Sequence, residues 1–210
     1  SMETLSHEAG RRRFITAKVP SGNNARGSSA ATWLAAHLGD GMLLPNLAMR
    51  VESYNVDLPV YATGMAVNSV PDLLRTLRPS DPVLDDLAAR QIDELLAQFT
   101  GCPEAQRSAL ATQAEASRVA THDMIDAGLG DLFDFQADTV EMAALRERYG
   151  ISRYGTSTLA SANARAATAA QALMGGVSRV VSIQVASGLD THGDEWADNQ
   201  GPRQEEGFNA

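Results

Sequence analysis

The side chains best suited to chemistry stand close together near the end of the chain, in Asp190-Thr191-His192. A carboxylate and an imidazole are both ligands of borderline divalent cations such as zinc. Residues two positions apart point to the same side of an extended backbone, so one ion could contact both side chains. Asp194 follows as a further ligand or as a group that orients the imidazole. The spacing predicts a metal site; the alternative is a loop in which Asp190 forms a side-chain turn and His192 is exposed.

An apolar strand is predicted to lead into this motif. Val177, Val181, Ile183 and Val185 fall at even spacings, which is the pattern of a buried β-strand. Ligands of open α/β sheets bind just beyond the carboxyl ends of the strands. The motif therefore occupies the position where an α/β protein places its ligand.

Two ligands do not complete a catalytic metal site, because such a site takes three or more from the protein. His7, in Ser6-His7-Glu8, is a looser candidate for a further ligand if the fold brings it close. The alternative for His7 is a solvated histidine near a terminus. Zinc, calcium or manganese would suit a donor set of carboxylates and imidazoles.

A second candidate site precedes a predicted helix over residues 30–38. Arg26 and Ser28 lie in Ala25-Arg26-Gly27-Ser28-Ser29, where backbone N–H groups, hydroxyls and a guanidinium could hold an anion. The spacing is not that of the glycine-rich phosphate loops. The alternative is a plain helix cap by Ser28 or Ser29.

Composition argues against several functions. A net charge of −9, with Arg11-Arg12-Arg13 as the one basic run, argues against nucleic-acid binding. No apolar run approaches the ~20 residues that span a membrane, and no signal peptide is visible. The single cysteine, Cys102, rules out an intrachain disulfide. These observations leave a second copy of the chain as a candidate partner.

The patterning predicts a helix-rich α/β chain, with residues 1–210 as a single domain or a domain fragment. Residues 1–68 are predicted as loop and short strands, with no helix before Ala30. Residues 69–150 form a helical region, and residues 151–210 a helix, the strand and the site loop. Helices are predicted over about 70–78 after the cap Ser69, 82–99 from Asp81-Pro82, 103–127 from Pro103, 139–149 after the cap Asp138, and 159–174. In the second of these helices, Leu87, Leu95 and Phe99 are among the apolar residues that fall on one face.

Several of these features occur in an order that resembles a known family. The residues concerned are Ser6-His7-Glu8 with Arg11–Phe14, Ala25–Ser29, Leu145–Gly150, Val180–Val185 and Gly188–Gly193. They resemble the bacterial family of uncharacterised, typically twin-arginine-exported proteins that are distantly similar to sulfatases and alkaline phosphatases. The family usually reads Gly-Gly-Trp-Asp-Thr-His at the strand end, where this chain has Leu189 in place of the tryptophan.

The resemblance implies an alkaline-phosphatase-like doubly wound sheet with a helical middle region. It also implies that Asp190 and His192 contribute to a metal centre for hydrolysis of phosphate or sulfate esters. The superfamily's nucleophile segment has no counterpart here, and its later metal ligands would lie beyond Ala210. We therefore expect a middle piece of an exported parent protein, incomplete for catalysis by itself. The alternative function is a catalytically silent binding or oligomerisation module.

Overall fold

A computed structural model describes residues 7–22, 24–78, 85–187 and 200–209 of the chain. At its centre are three short parallel strands, β1 (Leu47–Met49), β2 (Met65–Val67) and β3 (Val181–Ile183). Their spatial order is β2-β1-β3, and Ala48 of β1 faces Ala66 and Ser182 of its neighbours. The prediction of a helix-rich α/β chain is confirmed for these residues.

The amino-terminal region contains a helix, α1 (His7–Thr16), so the prediction of loop there is wrong. Arg11 stabilises the helix locally through Glu8, at 2.9 Å, and anchors it to the rest of the fold through Glu52, at 2.7 Å. The contact with Glu52 joins residues 41 positions apart. Local sequence patterns carry no sign of such a partner.

The next helix, α2 (Ala30–Leu38), matches its predicted bounds. The Ser29 side chain caps it by accepting a hydrogen bond from the Thr32 backbone N–H, and Gly39 ends it. Its Ala35 packs against Ala62 and Val180 on the face of the sheet opposite the main core.

A run of helices links β2 to β3 and covers the other face. They are α3 (Val70–Leu77), α4 (Asp86–Thr100), α5 (Pro103–Gln106), α6 (Ala109–Asp126), α7 (Leu129–Leu132), α8 (Val140–Tyr149) and α9 (Ala162–Met174). A last helix, α10 (Gly201–Phe208), follows β3. The predicted cap of α3, Ser69, is confirmed: its side chain accepts from the Asp72 backbone N–H.

Competing caps shift three of the predicted helix starts. Asp85 caps α4, whose first residue is Asp86; the predicted start at Asp81-Pro82 lies outside the described residues. Ser108 caps α6 and divides the single helix predicted from Pro103 into α5 and α6. Thr139, not Asp138, caps α8. Each residue is a good cap, and the tertiary structure decides which of several neighbouring candidates acts.

Helix α9 lies close against the sheet because its inner face is built from small residues. Ala164 and Ala167 are fully buried, and Ser161 caps the helix after a 3₁₀ turn over Ser157–Ala160. The predicted single helix from Leu159 is thus broken at Ser161. Together with Leu73 of α3 and Phe133, the alanines belong to the main hydrophobic core.

Strand β3 is shorter and more exposed than predicted. It spans Val181–Ile183, and all of its residues are half-buried, so the prediction of a buried strand over 177–185 is wrong. Among the described residues it pairs with β1 alone and forms an edge of the sheet. The turn at Gly176, which has φ +69°, precedes Val177 and separates it from the strand.

The apolar stripe of α4 does not enter the core. Leu87, Leu95 and Phe99 are each more than 60 % exposed, although they recur at helical spacing. Helical periodicity therefore identified an amphipathic helix correctly, but most of its apolar face stays exposed among the described residues. Across the described segments, no helix has both the length and the apolarity to span a membrane.

Paired leucine truncations should separate the core from this exposed stripe. Leu73 is fully buried, so Leu73→Ala should lower the free energy of unfolding by about 2–5 kcal/mol. Leu95→Ala makes the same chemical change in another helix interior, where the side chain is 64 % exposed, and should cost less than about 0.5 kcal/mol. Urea denaturation measures both values. An equal loss in the two variants would show that α4 is covered in solution.

Candidate anion site at the carboxyl edge of the sheet

The three parallel strands place their carboxyl ends at one edge of the sheet. From β1 the chain reaches β2 on one side, and then returns through the helices to β3 on the other side. Loops that leave neighbouring strands in opposite directions open a crevice between them, and ligands of α/β proteins bind there. Arg50 follows β1 and Gln184 follows β3, so these residues stand at the two sides of the crevice.

Arg50 holds an uncommon backbone conformation at this position. Its φ is +56°, in the left-handed region that residues with a side chain rarely adopt. The conformation is fixed because its N–H donates to the Val67 carbonyl at 2.8 Å, while the preceding Met49 carbonyl accepts from Gln184 N–H at 3.1 Å. Strained residues of this kind concentrate at functional sites.

Arg165 brings a buried positive charge to the same edge. It projects from α9, is 5 % exposed, and donates from Nε to the Gln184 carbonyl at 2.7 Å and from Nη1 to the Ala160 carbonyl at 2.5 Å. No carboxylate of the described segments lies within 4.0 Å of it. Burial lowers the pKa of its guanidinium, and the positive charge of Arg50 lowers it further. Two backbone carbonyls thus accept hydrogen bonds from two of its five N–H groups without neutralising its charge.

Helix α10 supplies further charged groups because it packs directly on the chain that follows β3. Gly207 permits the approach: a Cβ built there would lie 2.7 Å from the Val185 carbonyl oxygen. The helix carries Arg203 and Glu206 to the crevice.

These residues enclose a pocket of about 420 Å³. Among the described residues, its polar lining consists of Arg50, Arg165, Arg203, Glu206 and Ser187, which are three guanidinium groups, one carboxylate and one hydroxyl. Guanidinium groups donate paired hydrogen bonds to the oxygens of phosphate, sulfate and carboxylate. The charge and size of the pocket therefore suit a small anion or the anionic end of a larger ligand. We call it the arginine pocket.

The predicted metal ligands Asp190, His192 and Asp194 lie outside the described residues. In the sequence, Asp190 follows Ser187 of the arginine pocket by three positions. Over the described ranges, no group of three or more His, Cys, Asp or Glu side chains is arranged to hold a metal ion. The metal site thus stays a prediction from the sequence.

His7 begins α1 and does not line the arginine pocket. Its helix is nevertheless tied to the segment after β1, because Arg11 pairs with Glu52 two residues beyond Arg50. Burial acts to raise the pKa of Glu52, but hydrogen bonds from Tyr54 and Arg11 outweigh it and hold that pKa below its ordinary value. This charged network fixes α1 near the carboxyl edge of the sheet.

The structure separates Arg26 and Ser28 from the arginine pocket, since they line a different cleft. Ser28 Oγ donates to the Val56 carbonyl at 2.9 Å and accepts from the Val56 N–H at 2.8 Å, while Ser29 caps α2. Both hydroxyls thus have partners within the protein. Whether Arg26 and Ser28 bind an anion stays a prediction.

Sequence reasoning missed the arginines of the pocket, although one signal was present. Arg165 is the one charged residue in α9, which otherwise consists of small, amide and apolar residues. A lone arginine in a helix of this composition is unusual unless it has a buried role. Arg50 and Arg203 gave no comparable sign, because their places depend on the strand order and on the docking of α10.

Two glycines of α10 provide a matched test of this arrangement. Gly207→Ala should lower the free energy of unfolding by about 1–3 kcal/mol or detach α10, because the new Cβ meets a rigid backbone carbonyl. Gly201→Ala adds the same methyl group in open space and should be neutral or slightly stabilising. Hydrogen exchange of residues 201–208 reports the detachment. Equal protection in the two variants would contradict the docking of α10 on Val185.

No protein-family model matches this chain, and neither a curated protein nor a solved structure is significantly similar to it. A function must therefore be inferred from the chain's own residues and their geometry.

Proposed function

We propose that this chain forms the substrate-anion side of a metal-dependent hydrolase of phosphate or sulfate esters. The observation that carries the proposal is the buried charge of Arg165 at the carboxyl edge of a parallel sheet, where no carboxylate of the described segments pairs with it and Arg50 lines the same pocket. The resemblance of the sequence motifs to the exported sulfatase-like and alkaline-phosphatase-like family supports the same chemistry.

The arginine pocket would hold the ester by its charged oxygens. Arg50 is exposed and has room to turn its guanidinium toward a ligand, while Arg165 is held in place by two carbonyls. Hydrolysis adds water across the ester, releasing an alcohol and inorganic phosphate or sulfate, and negative charge accumulates on the non-bridging oxygens as the reaction proceeds. Fixed guanidinium groups at those oxygens lower the barrier.

Asp190 and His192 are the proposed metal ligands, because they follow Ser187 of the pocket after a short stretch of chain. A carboxylate and an imidazole suit zinc, manganese or calcium. A divalent ion would supply Lewis-acid chemistry for the attack of water on the ester. The two ligands are fewer than a catalytic site takes, so catalysis is assigned to a longer parent protein and not to this chain alone.

Measurements of metal content and of sulfate binding on the purified 210-residue chain test the metal site and the anion site separately. After dialysis against zinc and manganese, the wild type should retain metal, and Asp190→Ala/His192→Ala should lose it. Sulfate, titrated by calorimetry at constant ionic strength, should bind the wild type and bind Arg50→Gln about tenfold more weakly, since a charge-assisted hydrogen bond is lost.

Arg148→Gln is the control, because it removes an equal charge from an exposed site outside the pocket. Equal sulfate affinities of the wild type and Arg50→Gln would contradict the anion site. Metal retained by Asp190→Ala/His192→Ala would contradict the assignment of these two residues as metal ligands.

The exposed apolar face of α4 favours a second candidate function, a catalytically silent binding or oligomerisation module. Leu87, Leu95 and Phe99 form an apolar stripe that the described segments leave largely exposed. Light scattering should then show a dimer or larger assembly that Leu95→Ser/Phe99→Ser converts to a monomer. A monomeric wild type at high concentration would exclude self-association through α4.

A further inference from the structure

A second cleft lies between the end of α1 and the start of α2. It encloses about 790 Å³ and shares no lining residue with the arginine pocket. Phe14, Trp33, Leu34 and Val56 form its apolar wall, while Lys18 and Arg26 stand on its polar side. The cleft thus combines two chemically different surfaces. We call it the α1–α2 cleft.

The apolar wall exposes large side chains to water. Phe14 is 84 % exposed and Trp33 is 55 % exposed, and Leu34 and Val56 are exposed as well. The Trp33 ring is held against His37, with ring centroids 4.5 Å apart in an edge-to-face arrangement. Clustered apolar groups of this size, bordered by polar residues, mark ligand sites more often than ordinary surface.

The polar side carries a local excess of positive charge on an acidic chain. Neither Lys18 nor Arg26 has a carboxylate of the described segments within 4.0 Å; the one carboxylate that lines the cleft is that of Asp57, which is exposed. The Lys18 stem lies against Gly27, where a Cβ would be 2.8 Å from Lys18 Cδ. A side chain at position 27 would therefore force the lysine stem to shift.

The backbone around the cleft is strained at two positions. Three non-glycine residues of the described segments have a positive φ, and two of them, Ala17 at +55° and Asp57 at +62°, line this cleft. The third is Arg50 of the arginine pocket. Such strain persists only where the surrounding structure holds it, and it concentrates at binding sites.

From these features we propose that the α1–α2 cleft binds a small amphiphilic anion. Its aromatic or short acyl body would lie on Phe14, Trp33 and Leu34, and its carboxylate, sulfate or phosphate head would meet Lys18 and Arg26. Neither a neutral apolar molecule nor an amphiphilic cation would satisfy both sides. This site is independent of the ester hydrolysis proposed for the arginine pocket.

Three probes with one tail and different heads test the proposal: octanoate, octanol and octylammonium. Trp33 reports binding through its fluorescence once the second tryptophan of the chain is replaced in a Trp196→Phe background. Octanoate should shift the Trp33 emission to the blue with one-to-one saturation. Octanol and octylammonium should bind at least about tenfold more weakly, because they lack the charge-assisted hydrogen bonds.

Charge-removing variants locate the head group. Lys18→Gln/Arg26→Gln should reduce octanoate affinity about tenfold or more and leave octanol affinity unchanged. Arg107→Gln, which removes one positive charge at an exposed position outside the cleft, should bind octanoate as the wild type does. Circular dichroism would verify that each variant is folded.

Three results would overturn the proposal. The first is the absence of a saturable Trp33 shift with octanoate. The second is equal affinity for octanoate and octylammonium. The third is full octanoate affinity in a folded Lys18→Gln/Arg26→Gln variant.

Discussion

The buried guanidinium of Arg165 is the interaction on which the carboxyl edge of this sheet depends. It joins α9 to the turn before that helix through Ala160, and to the chain after β3 through Gln184. Removing a charge from water costs several kcal/mol, which hydrogen bonds to neutral carbonyls offset only in part. A bound anion would offset more of that cost. The residue that secures β3 is therefore also the one that makes the edge favourable for an anion.

The small residues of α9 determine how near Arg165 comes to the strands. Ala164 and Ala167 are fully buried and hold the helix close to the sheet. Larger side chains on this face would move the helix outward and separate the guanidinium from the Gln184 carbonyl. At the other side of the pocket, Gly207 plays the same role in α10, because the absence of a side chain lets the helix approach the Val185 carbonyl. The close approach of each helix to the neighbouring backbone thus shapes both walls of the arginine pocket.

Features set by neighbouring residues could be predicted from the sequence, whereas features set by distant ones could not. The sequence predicts Ser69 as one cap and either Ser28 or Ser29 as another, because a cap needs only the helix that follows it; the structure has Ser69 and Ser29. Helix α1 escaped prediction because its anchor, Glu52, lies far along the chain. The stripe of α4 shows the converse limit: periodicity reveals an apolar face but not whether anything covers it.

The candidate site likewise combines features set by neighbouring residues with features set by distant ones. The metal site after β3 stays a prediction, and it rests on a strand pattern and the adjoining polar residues alone. The arginines that line the pocket come from the end of β1, from α9 and from α10, and no local pattern links them. The backbone of Arg50 is left-handed because of ladder bonds to strands on both sides, which depend on the order β2-β1-β3.

The acidity of the whole chain does not prevent it from binding anions. Charges separated by more than about 8 Å in water are largely screened at physiological ionic strength, so distant carboxylates contribute little at a pocket. Close groups dominate instead, and among the described residues guanidinium groups outnumber carboxylates in the lining of the arginine pocket. By the same measure, Lys18 and Arg26 outnumber Asp57 in the lining of the α1–α2 cleft. The net charge of −9 thus describes the average surface, while both clefts depart from it in the direction that an anionic ligand requires.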